Sequence, residues 1–235
     1  MEPPVLFEDA VPKPMPDQHF LVSLKDRLRL PLCPPGATCQ HRRVDDGTVC
    51  GEPLDSRGRH SKKCGVGKSR DARHNAVRDF TADFHSKVSG YTAAKEQRVV
   101  AWDRVNRRTG RIEEARLDVA TRDAVSGRRI FVDACVTCAN CGYGPRQQAR
   151  AGKDGVAAAD SVRGKRSRYP PSGGELVPLV FEAGGRPADE TVAFVRSWAV
   201  DLDSAERARV IRYAWQQYSC TVQSGNAEMI LSLIG

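Results

Sequence analysis

The feature that most constrains the fold is a segment, residues 31–70, that is rich in cysteine, glycine, proline and charge but has almost no apolar periodicity. Four of the eight cysteines and two of the five histidines fall within it: Cys33, Cys39, His41, Cys50, His60 and Cys64. Such a segment buries too little apolar surface to offset the conformational entropy that it loses on folding. Another source of binding energy must therefore fix it.

The best set of metal ligands in this segment is Cys39, Cys50, His60 and Cys64. The His-x3-Cys spacing places the last two ligands on one side of a helical turn, and the longer intervals let the other two loop back. Zn²⁺ suits three thiolates and one imidazole in a tetrahedron, and its binding energy can hold a segment without a core. The sequence predicts a zinc knuckle, for which Cys33 and His41 are rival ligands. The competing interpretation is a loop of free thiols.

The charge of the chain indicates a polyanionic partner. There are 37 Lys and Arg against 29 Asp and Glu, a formal net charge of +8 with a pI of about 9.2. Residues 57–78 hold eight basic residues and one acid, whereas residues 171–235 hold five basic residues and eight acids. A basic working surface points first to nucleic acid, although a single run of charge also fits a solvated face. We expect no membrane span and no secretory signal, so the interpretation of the cysteines as a disulfide framework loses its usual support.

Apolar periodicity predicts a mixed α/β chain. One stripe, Val77, Phe80, Phe84 and Val88, predicts a helix that begins near residue 71 and ends at Gly90. Strands are predicted at residues 96–102, 112–121, 129–137 and 176–181, and further helices at 147–168, 188–200 and 204–233. The domains expected are a flexible proline-rich arm (1–30, with a short helix near 22–28), the knuckle (31–70), an α/β core (71–185) and a C-terminal helical extension (186–235).

Two carboxylates are predicted to lie side by side on neighbouring strands. Asp118 is in the second predicted strand and Asp133 in the third, and a β-hairpin of that length brings them together. Asp133 follows an apolar run, residues 130–132, so it needs a partner, because burying an unpaired charge is costly. A divalent cation would satisfy that need, and so would an arginine. The pair therefore predicts a site for Mg²⁺ or Mn²⁺.

Two more residues are candidates for the same site. Glu96, at the start of the first predicted strand, is a third metal ligand or else a surface residue paired with Lys95 or Arg98. Lys165 lies near the end of the helix that follows the third strand, where it would orient or deprotonate a water, or stabilise charge on a phosphate. The competing interpretation is a basic helix end favoured by the helix dipole. Lys153 is the second choice for this role.

Six motifs occur in the order found in a known family. They are Cys50-Gly51-Glu52-Pro53-Leu54-Asp55 with Gly58, His60 and Cys64; Arg73-His74-Asn75 with Arg78-Asp79; Arg116-Leu117-Asp118; Val132-Asp133-Ala134-Cys135-Val136; Lys165 with Arg168-Tyr169; and residues 176–182 with Gly184. Across residues 33–230 the chain resembles the restriction-enzyme-like endonuclease domain of non-LTR retrotransposons, a branch of the PD-(D/E)xK nucleases. It departs from the family where Leu117 replaces a proline, where Cys39 substitutes for a Cys-x2-Cys half of the knuckle, and where Cys135 replaces the lysine of orthodox nucleases.

The resemblance implies a fold and an activity. The fold is a PD-(D/E)xK core of helix, three strands, helix and strand, preceded by the zinc knuckle and followed by C-terminal helices. The activity is hydrolysis of a DNA phosphodiester, with Mg²⁺ or Mn²⁺ bound by Asp118 and Asp133, with Lys165 assisting and with Glu96 as an auxiliary ligand. Contacts to the nucleic acid are expected from Arg73, His74, Arg78, Arg166 and Arg168. For His74, a role near the metal and a packed histidine are the alternatives.

The resemblance also implies partners and a location. Besides DNA, these are the element RNA or a reverse transcriptase domain in a longer parent protein, and the location is the nucleus. The competing function is a zinc-dependent DNA- or RNA-binding module whose nuclease fold has lost catalysis. A redox or metal-storage protein is a third class, which the dispersed basic charge disfavours. Cys135, Cys138 and Cys141 are either part of a second metal site, with Cys220 or a histidine, or unpaired thiols at a strand end. A further interpretation applies to Cys135 alone: it shares a strand face with Asp133 and would line the active site.

Overall fold

The computed structural model describes residues 13–141 and 145–234. Within them, the helices are α1 (Asp17–Arg27), α2 (Ser69–Ser89), α3 (Pro145–Gly152), α4 (Val156–Arg168), α5 (Asp189–Ser197) and α6 (Ser204–Ile234). The strands are β1 (Ala94–Arg98), β2 (Arg104–Val105), β3 (Ile112–Glu113), β4 (Arg116–Arg122), β5 (Arg129–Thr137) and β6 (Glu175–Glu182). The mixed α/β class is as predicted. None of the described helices is both long and apolar enough to cross a membrane.

A four-stranded mixed sheet in the order β1-β4-β5-β6 forms the centre of the molecule. β4 is antiparallel to both of its neighbours, whereas β5 and β6 run parallel along their whole length. The β4–β5 pairing extends only from Arg122↔Arg129 to Val119↔Val132. The half of β5 that follows Val132 is therefore no longer paired with β4. A separate hairpin, β2–β3, is inserted in the chain between β1 and β4.

Helices cover both faces of the sheet. Val132 and Phe181 lie on the face that packs against α2, α5 and α6. Phe131 and Val180 lie on the opposite face, where they pack against Trp102 and α4. This arrangement follows from the alternation of side chains along each strand. A charged side chain in the middle of the sheet is consequently buried unless the strands separate beside it.

Several predicted elements are divided in the structure. The helix predicted at residues 147–168 is interrupted at Gly155, whose φ of +76° is incompatible with continuous helix. The strand predicted at 112–121 is interrupted because the Ala115 N–H donates to Asp103 Oδ1, at 2.7 Å, between β3 and β4. The strand predicted at 96–102 becomes β1 and a short 3-10 turn, Val100–Trp102. By contrast, β5 has the predicted bounds.

The N-terminal part of the chain packs against α6. Residues 1–12 of the predicted arm lie outside the described residues, but 17–27 form α1, in which Ser23 donates to the Gln223 carbonyl at 3.4 Å. This part of the arm is a docked helix rather than a flexible linker. The knuckle is not held by its metal ligands alone either, because it contributes apolar side chains to a small cluster with α6. The buried members of the cluster are Leu32, Cys33, Cys39, Leu54, Cys64, Ile230 and Leu233.

Candidate functional site

The four predicted zinc ligands lie together in the structure. One ligand atom from each of Cys39, Cys50, His60 and Cys64 lies within 4.8 Å of the other three. The Sγ atoms of Cys64 and Cys39 are 3.7 Å apart, those of Cys64 and Cys50 are 3.9 Å apart, and Cys50 Sγ is 3.4 Å from His60 Nε2. A tetrahedron with Zn–S and Zn–N distances of about 2.3 and 2.0 Å has edges of about 3.8 and 3.5 Å. The cluster can therefore hold a zinc-like metal.

Short backbone pairings explain why these ligands converge. The N–H groups of Cys39 and Cys50 each donate to a carbonyl of the facing segment at 2.8 Å, which forms a small hairpin. A 3-10 turn, Ser61–Lys63, then separates His60 from Cys64. Burial raises the pKa of the Cys39 and Cys64 thiols, so a cation is needed for their sulfurs to be thiolates at neutral pH.

The two rival ligands point elsewhere. His41 is buried, and its Nε2 lies 2.9 Å from Ser232 Oγ on α6. Cys33 is buried in the apolar cluster between the knuckle and α6, and it does not belong to the group of four ligand atoms. The structure therefore selects the quartet that the spacing favoured, and assigns His41 and Cys33 to packing.

The two predicted catalytic aspartates lie where β4 and β5 separate. The register of the ladder places Asp118 opposite Asp133, one step beyond the last pair, Val119↔Val132. The Ala134 N–H donates to Asp118 Oδ2 at 2.5 Å. Only 9% of the Asp118 side chain and 15% of the Asp133 side chain are exposed. The juxtaposition that the sequence predicts is present, and it occurs at a discontinuity of the sheet.

Two nitrogen-bearing side chains reach this pair from opposite faces of the sheet. Lys165 of α4 has its Nζ 2.5 Å from Asp133 Oδ2, and it also donates to the Ala134 carbonyl at 3.1 Å. His74 of α2 has its Nε2 2.8 Å from Asp118 Oδ1. We call these four side chains, Asp118, Asp133, Lys165 and His74, the carboxylate site.

The surroundings affect the two carboxyl groups in opposite directions. Burial acts to raise the pKa of Asp118, but the hydrogen bonds from His74 and Ala134 outweigh it and hold this pKa below its ordinary value. Burial raises the pKa of Asp133 in spite of the opposing Lys165, and the neighbouring Asp118 adds to the rise. The hydrogen bond to Asp118 raises the pKa of His74. Asp118 therefore carries the negative charge of the pair more readily than Asp133 does.

Glu96 is not brought to the carboxylate pair. It lies on β1 with a φ of +56°, is half exposed and forms an ion pair with Arg78, which also bonds Asp79 at 3.0 Å. In the part of the chain that the structure describes, the Cys3His cluster is the only group of three or more metal-ligating side chains. Glu96 is thus a surface residue in an ion pair, which was the alternative to the metal-ligand interpretation. Its partner is Arg78 rather than Lys95 or Arg98.

The predicted phosphate contacts have different environments. Arg73 is only 4% exposed, and its Nη1 donates to Asn226 Oδ1 at 2.5 Å. It joins α2 to α6 and is not accessible to a phosphate, contrary to prediction. Arg168 donates to the Trp102 carbonyl at 2.7 Å and lies over the Tyr169 ring. Arg166 is exposed, with Glu190 3.9 Å away, and remains available for a ligand.

The cysteines near the end of β5 belong to no group of three or more metal-ligating side chains among the described residues. Cys138 and Cys141 are joined by a disulfide bond, whereas Cys135 and Cys220 are free thiols. Cys135 lies on β5 two residues beyond Asp133, and burial raises the pKa of its thiol. The interpretation of Cys135 as part of the lining of the carboxylate site agrees with this position.

Sequence reasoning offered a position near the metal as one alternative for His74, but it did not identify Asp118 as the hydrogen-bond partner of this histidine. The two residues are 44 positions apart and meet only because α2 packs against the sheet. Neither apolar periodicity nor local spacing contains that information, so only the family-like motif around Arg73 drew attention to this histidine.

Comparison with known proteins leaves the two sites to be interpreted from their own geometry. No model of a known protein family matches the chain, and no curated protein matches it either.

Proposed function

We propose that the protein is a metal-dependent DNA endonuclease, which nicks DNA by hydrolysing a phosphodiester bond. One observation carries the proposal: Asp118, Asp133 and Lys165 converge from two strands and a helix at the point where the strands separate. Hydrolysis of a phosphodiester requires groups that bind a cation, position water and stabilise negative charge on the phosphate. Two carboxylates and a lysine supply those groups.

The order of the elements supports the same proposal. A PD-(D/E)xK core is expected to have the order helix, three strands, helix and strand. The same order occurs here in α2, β1, β4, β5, α4 and β6. Five of the six motifs that resemble the retrotransposon endonucleases lie on these elements or directly beside them, and the sixth, the knuckle motif, precedes α2. We therefore propose an origin in a non-LTR retrotransposon and a nuclear location. The Cys3His cluster is proposed to bind zinc as a closed structural site.

Asp118 and Asp133 would hold the catalytic Mg²⁺ or Mn²⁺. The donor set fits, since Mg²⁺ in proteins is commonly bound by one or two carboxylates together with waters and substrate phosphate. Two adjacent carboxylates also repel each other, and a cation bound between them would relieve that repulsion. When bound, the metal polarises a phosphoryl oxygen and lowers the pKa of a bound water.

The protein groups around the pair position the reaction. Contacts with Asp133 and the Ala134 carbonyl engage two of the three N–H donors of Lys165, so one remains for a phosphate oxygen or the attacking water. This donor would stabilise negative charge that develops during hydrolysis. His74 and the Ala134 N–H each bond one oxygen of Asp118, which fixes the orientation of that carboxylate.

A basic groove beside the knuckle supports a nucleic-acid substrate. The groove, of about 500 Å³, lies between α1, the knuckle and the chain that follows β5 and β6. Five cationic side chains line it, against the two acids Asp26 and Glu182: Arg27, Arg29, Arg57, Arg59 and Lys62. A concave surface with an excess of positive charge attracts phosphates, and its affinity for DNA should fall steeply as salt is added.

A nicking assay on supercoiled plasmid, with Mg²⁺ and with Mn²⁺, tests the proposal. Asp133→Asn keeps the size of the side chain but removes the charge that a metal requires, so nicking should fall by about 100-fold or more while DNA binding is retained. Asp201→Asn, at an exposed position, is the matched control and should nick like the wild type. Equal nicking by Asp133→Asn and the wild type would show that the carboxylate site is not catalytic.

Lys165 can be tested in the same assay. Lys165→Ala should reduce nicking by roughly 100-fold, because it removes the donor that the proposal assigns to the phosphate oxygen or the attacking water. Lys153→Ala removes an exposed lysine and should leave nicking unchanged. If both variants behave alike, Lys165 has no special part in hydrolysis.

A nucleic-acid-binding module without catalysis is the second candidate, and one observation favours it. Each carboxylate already has a nitrogen-bearing partner, Lys165 for Asp133 and His74 for Asp118, so the pair is stabilised as it stands. Tight DNA binding by a wild-type protein that nicks plasmid with neither metal would establish this function.

A further inference from the structure

The β2–β3 hairpin carries three arginines at its tip, which neither the carboxylate site nor the basic groove includes. Arg107, Arg108 and Arg111 are exposed, and no carboxylate of the described residues lies within ion-pair distance of them. The arginines at the root are all paired with acids: Arg98 with Asp103 and Glu114, Arg104 with Glu113, and Arg116 with Glu114. The positive charge of the hairpin is therefore concentrated at its tip.

The tip has a defined conformation. Asn106 Oδ1 accepts the N–H groups of Arg108 at 2.9 Å and Thr109 at 3.1 Å, and the Asn106 N–H donates to the Arg111 carbonyl at 2.8 Å. Gly110 has a φ of +69°, which closes the turn without strain. A loop already fixed in this way loses little conformational entropy when its arginines bind a ligand.

An apolar pair lies just below the arginines. Val105 and Ile112 are cross-strand partners, and they are 62% and 64% exposed. A two-stranded ribbon fits the major groove of B-DNA, which is about 12 Å wide. In that groove arginine bonds the O6 and N7 atoms of guanine, and apolar side chains contact the thymine methyl group. The chemistry of the hairpin matches that of this groove on both counts.

The root of the hairpin is fixed to the strand that bears Asp118. Asp103, just before β2, accepts the N–H of Ala115, just before β4, at 2.7 Å. Asp118 follows Glu113, the last residue of the hairpin, by five positions, or about 17 Å of extended chain. Arg108, at the tip, precedes Asp118 by ten positions, or at most about 33 Å of chain, so the tip is held within about one turn of DNA of the carboxylate site.

We infer that the β2–β3 hairpin inserts into the major groove of duplex DNA and holds the duplex against the carboxylate site. The inference rests on the proposed endonuclease function, and it names duplex DNA as the substrate form and the hairpin as the element that engages it. Base edges and flanking phosphates are bonded by Arg107, Arg108 and Arg111. The thymine methyl groups in the same groove are contacted by Val105 and Ile112.

Binding to a duplex of about three helical turns tests the inference. The measurements use Asp133→Asn protein without added divalent metal and without chelator, so that cleavage plays no part and bound zinc is retained. In this background, a triple variant in which the tip arginines are changed to alanine (Arg107→Ala, Arg108→Ala and Arg111→Ala) should bind the duplex roughly 100-fold more weakly. The slope of log affinity against log salt concentration should become shallower by up to about 2.7, because up to three phosphate contacts are lost. The control changes Arg196, Arg209 and Arg212 to Ala, which removes the same charge from exposed positions on α5 and α6. Equal binding by the two triple variants would overturn the inference.

Two further probes test the groove. A duplex with 7-deazaguanine in place of guanine loses a major-groove acceptor, so it should bind the wild-type hairpin more weakly but leave the binding of the hairpin triple variant unchanged. Single-stranded DNA should show little difference between the two proteins. A hairpin effect of the same size on single strands, or wild-type binding that is indifferent to 7-deazaguanine, would exclude major-groove insertion.

The result is independent of the nicking assay. If the wild type nicks plasmid but the two triple variants bind equally, the hairpin inference fails and the endonuclease stands. If the hairpin variant loses duplex binding but the wild type nicks nothing, the hairpin inference stands as a DNA-binding device and the endonuclease fails.

Discussion

At the scale of the residue, two histidines of α2 show how the environment decides the charge of one side-chain type. His74 is 35% exposed and lies 2.8 Å from Asp118, and the hydrogen bond raises its pKa. His85 is fully buried beside Phe194 and Trp198, and burial lowers its pKa to about 4. The first histidine belongs to the carboxylate site, whereas the second belongs to the core and must stay neutral.

His85 should make the fold sensitive to acid. Its folded-state pKa of about 4 lies below the ordinary value of 6.5, so the unfolded chain takes up the proton first as the pH falls. The contribution to stability is therefore present above pH 6.5 and is lost as the pH falls toward 4, by about 2 kcal/mol between pH 7 and 5. Urea unfolding of the wild type and of His85→Phe at both pH values measures it, because other acid effects are common to the two proteins. A loss on acidification that is equal in both proteins would contradict the prediction.

At the scale of the element, two glycines have opposite effects on α4, the helix that carries Lys165. Gly155 precedes α4 with a φ of +76°, whereas Gly164 lies inside α4 and an added Cβ there would meet nothing within 4 Å. Gly155→Ala should lower the free energy of unfolding by roughly 1–2 kcal/mol, since a left-handed residue with a Cβ is strained. Gly164→Ala should raise it by roughly 0.5–1 kcal/mol. Denaturant unfolding of the two variants checks both signs, and the same sign for both would refute the explanation.

The elements that the sequence predicts well are those with strong apolar patterns of their own. α2 and β5 are close to their predicted bounds, because an apolar stripe and a continuous apolar run respectively define them. The strand predicted at 112–121 is divided by a side chain twelve positions away, since Asp103 takes the N–H of Ala115. Local patterns do not reveal a contact of that kind.

The same distinction applies to the candidate sites. The pairing of Asp118 with Asp133 was predictable, because a short hairpin fixes the register of two consecutive strands. The roles of Arg73 and His74 were not, because α2 meets α6 and the sheet only in the folded molecule. Sequence reasoning finds ligands that one supersecondary unit brings together, and it misses those that depend on long-range packing.

At the scale of the whole molecule, α6 connects the knuckle to the core. It packs against α2 through Tyr218 and against the knuckle through Ile230 and Leu233. The 31 residues of this helix, Ser204–Ile234, would span about 46 Å. Loss of order in the knuckle should therefore reach the last turns of α6 before it reaches the sheet.

Removal of the metal from the knuckle tests this connection. Purified protein should contain about one zinc per chain, and His60→Ala should lose it and melt at a lower temperature. Amide hydrogen exchange should then accelerate at the end of α6, around Ile230, while β5 stays protected. Cys220→Ser, which changes a free cysteine outside the cluster, should keep its zinc and its protection. Soluble wild-type protein without zinc would refute the assignment of the metal.

The packing of the knuckle against α6 also has a consequence for synthesis of the chain. Leu32 and Leu54 emerge from the ribosome some 200 residues before their apolar partners Ile230 and Leu233. At the usual rates of translation, this interval lasts ~10–40 s. The four cluster ligands, in contrast, are complete as soon as Cys64 has emerged. Metal capture can therefore order the nascent knuckle early, and its exposed leucines must be kept from aggregating until the last helix is made.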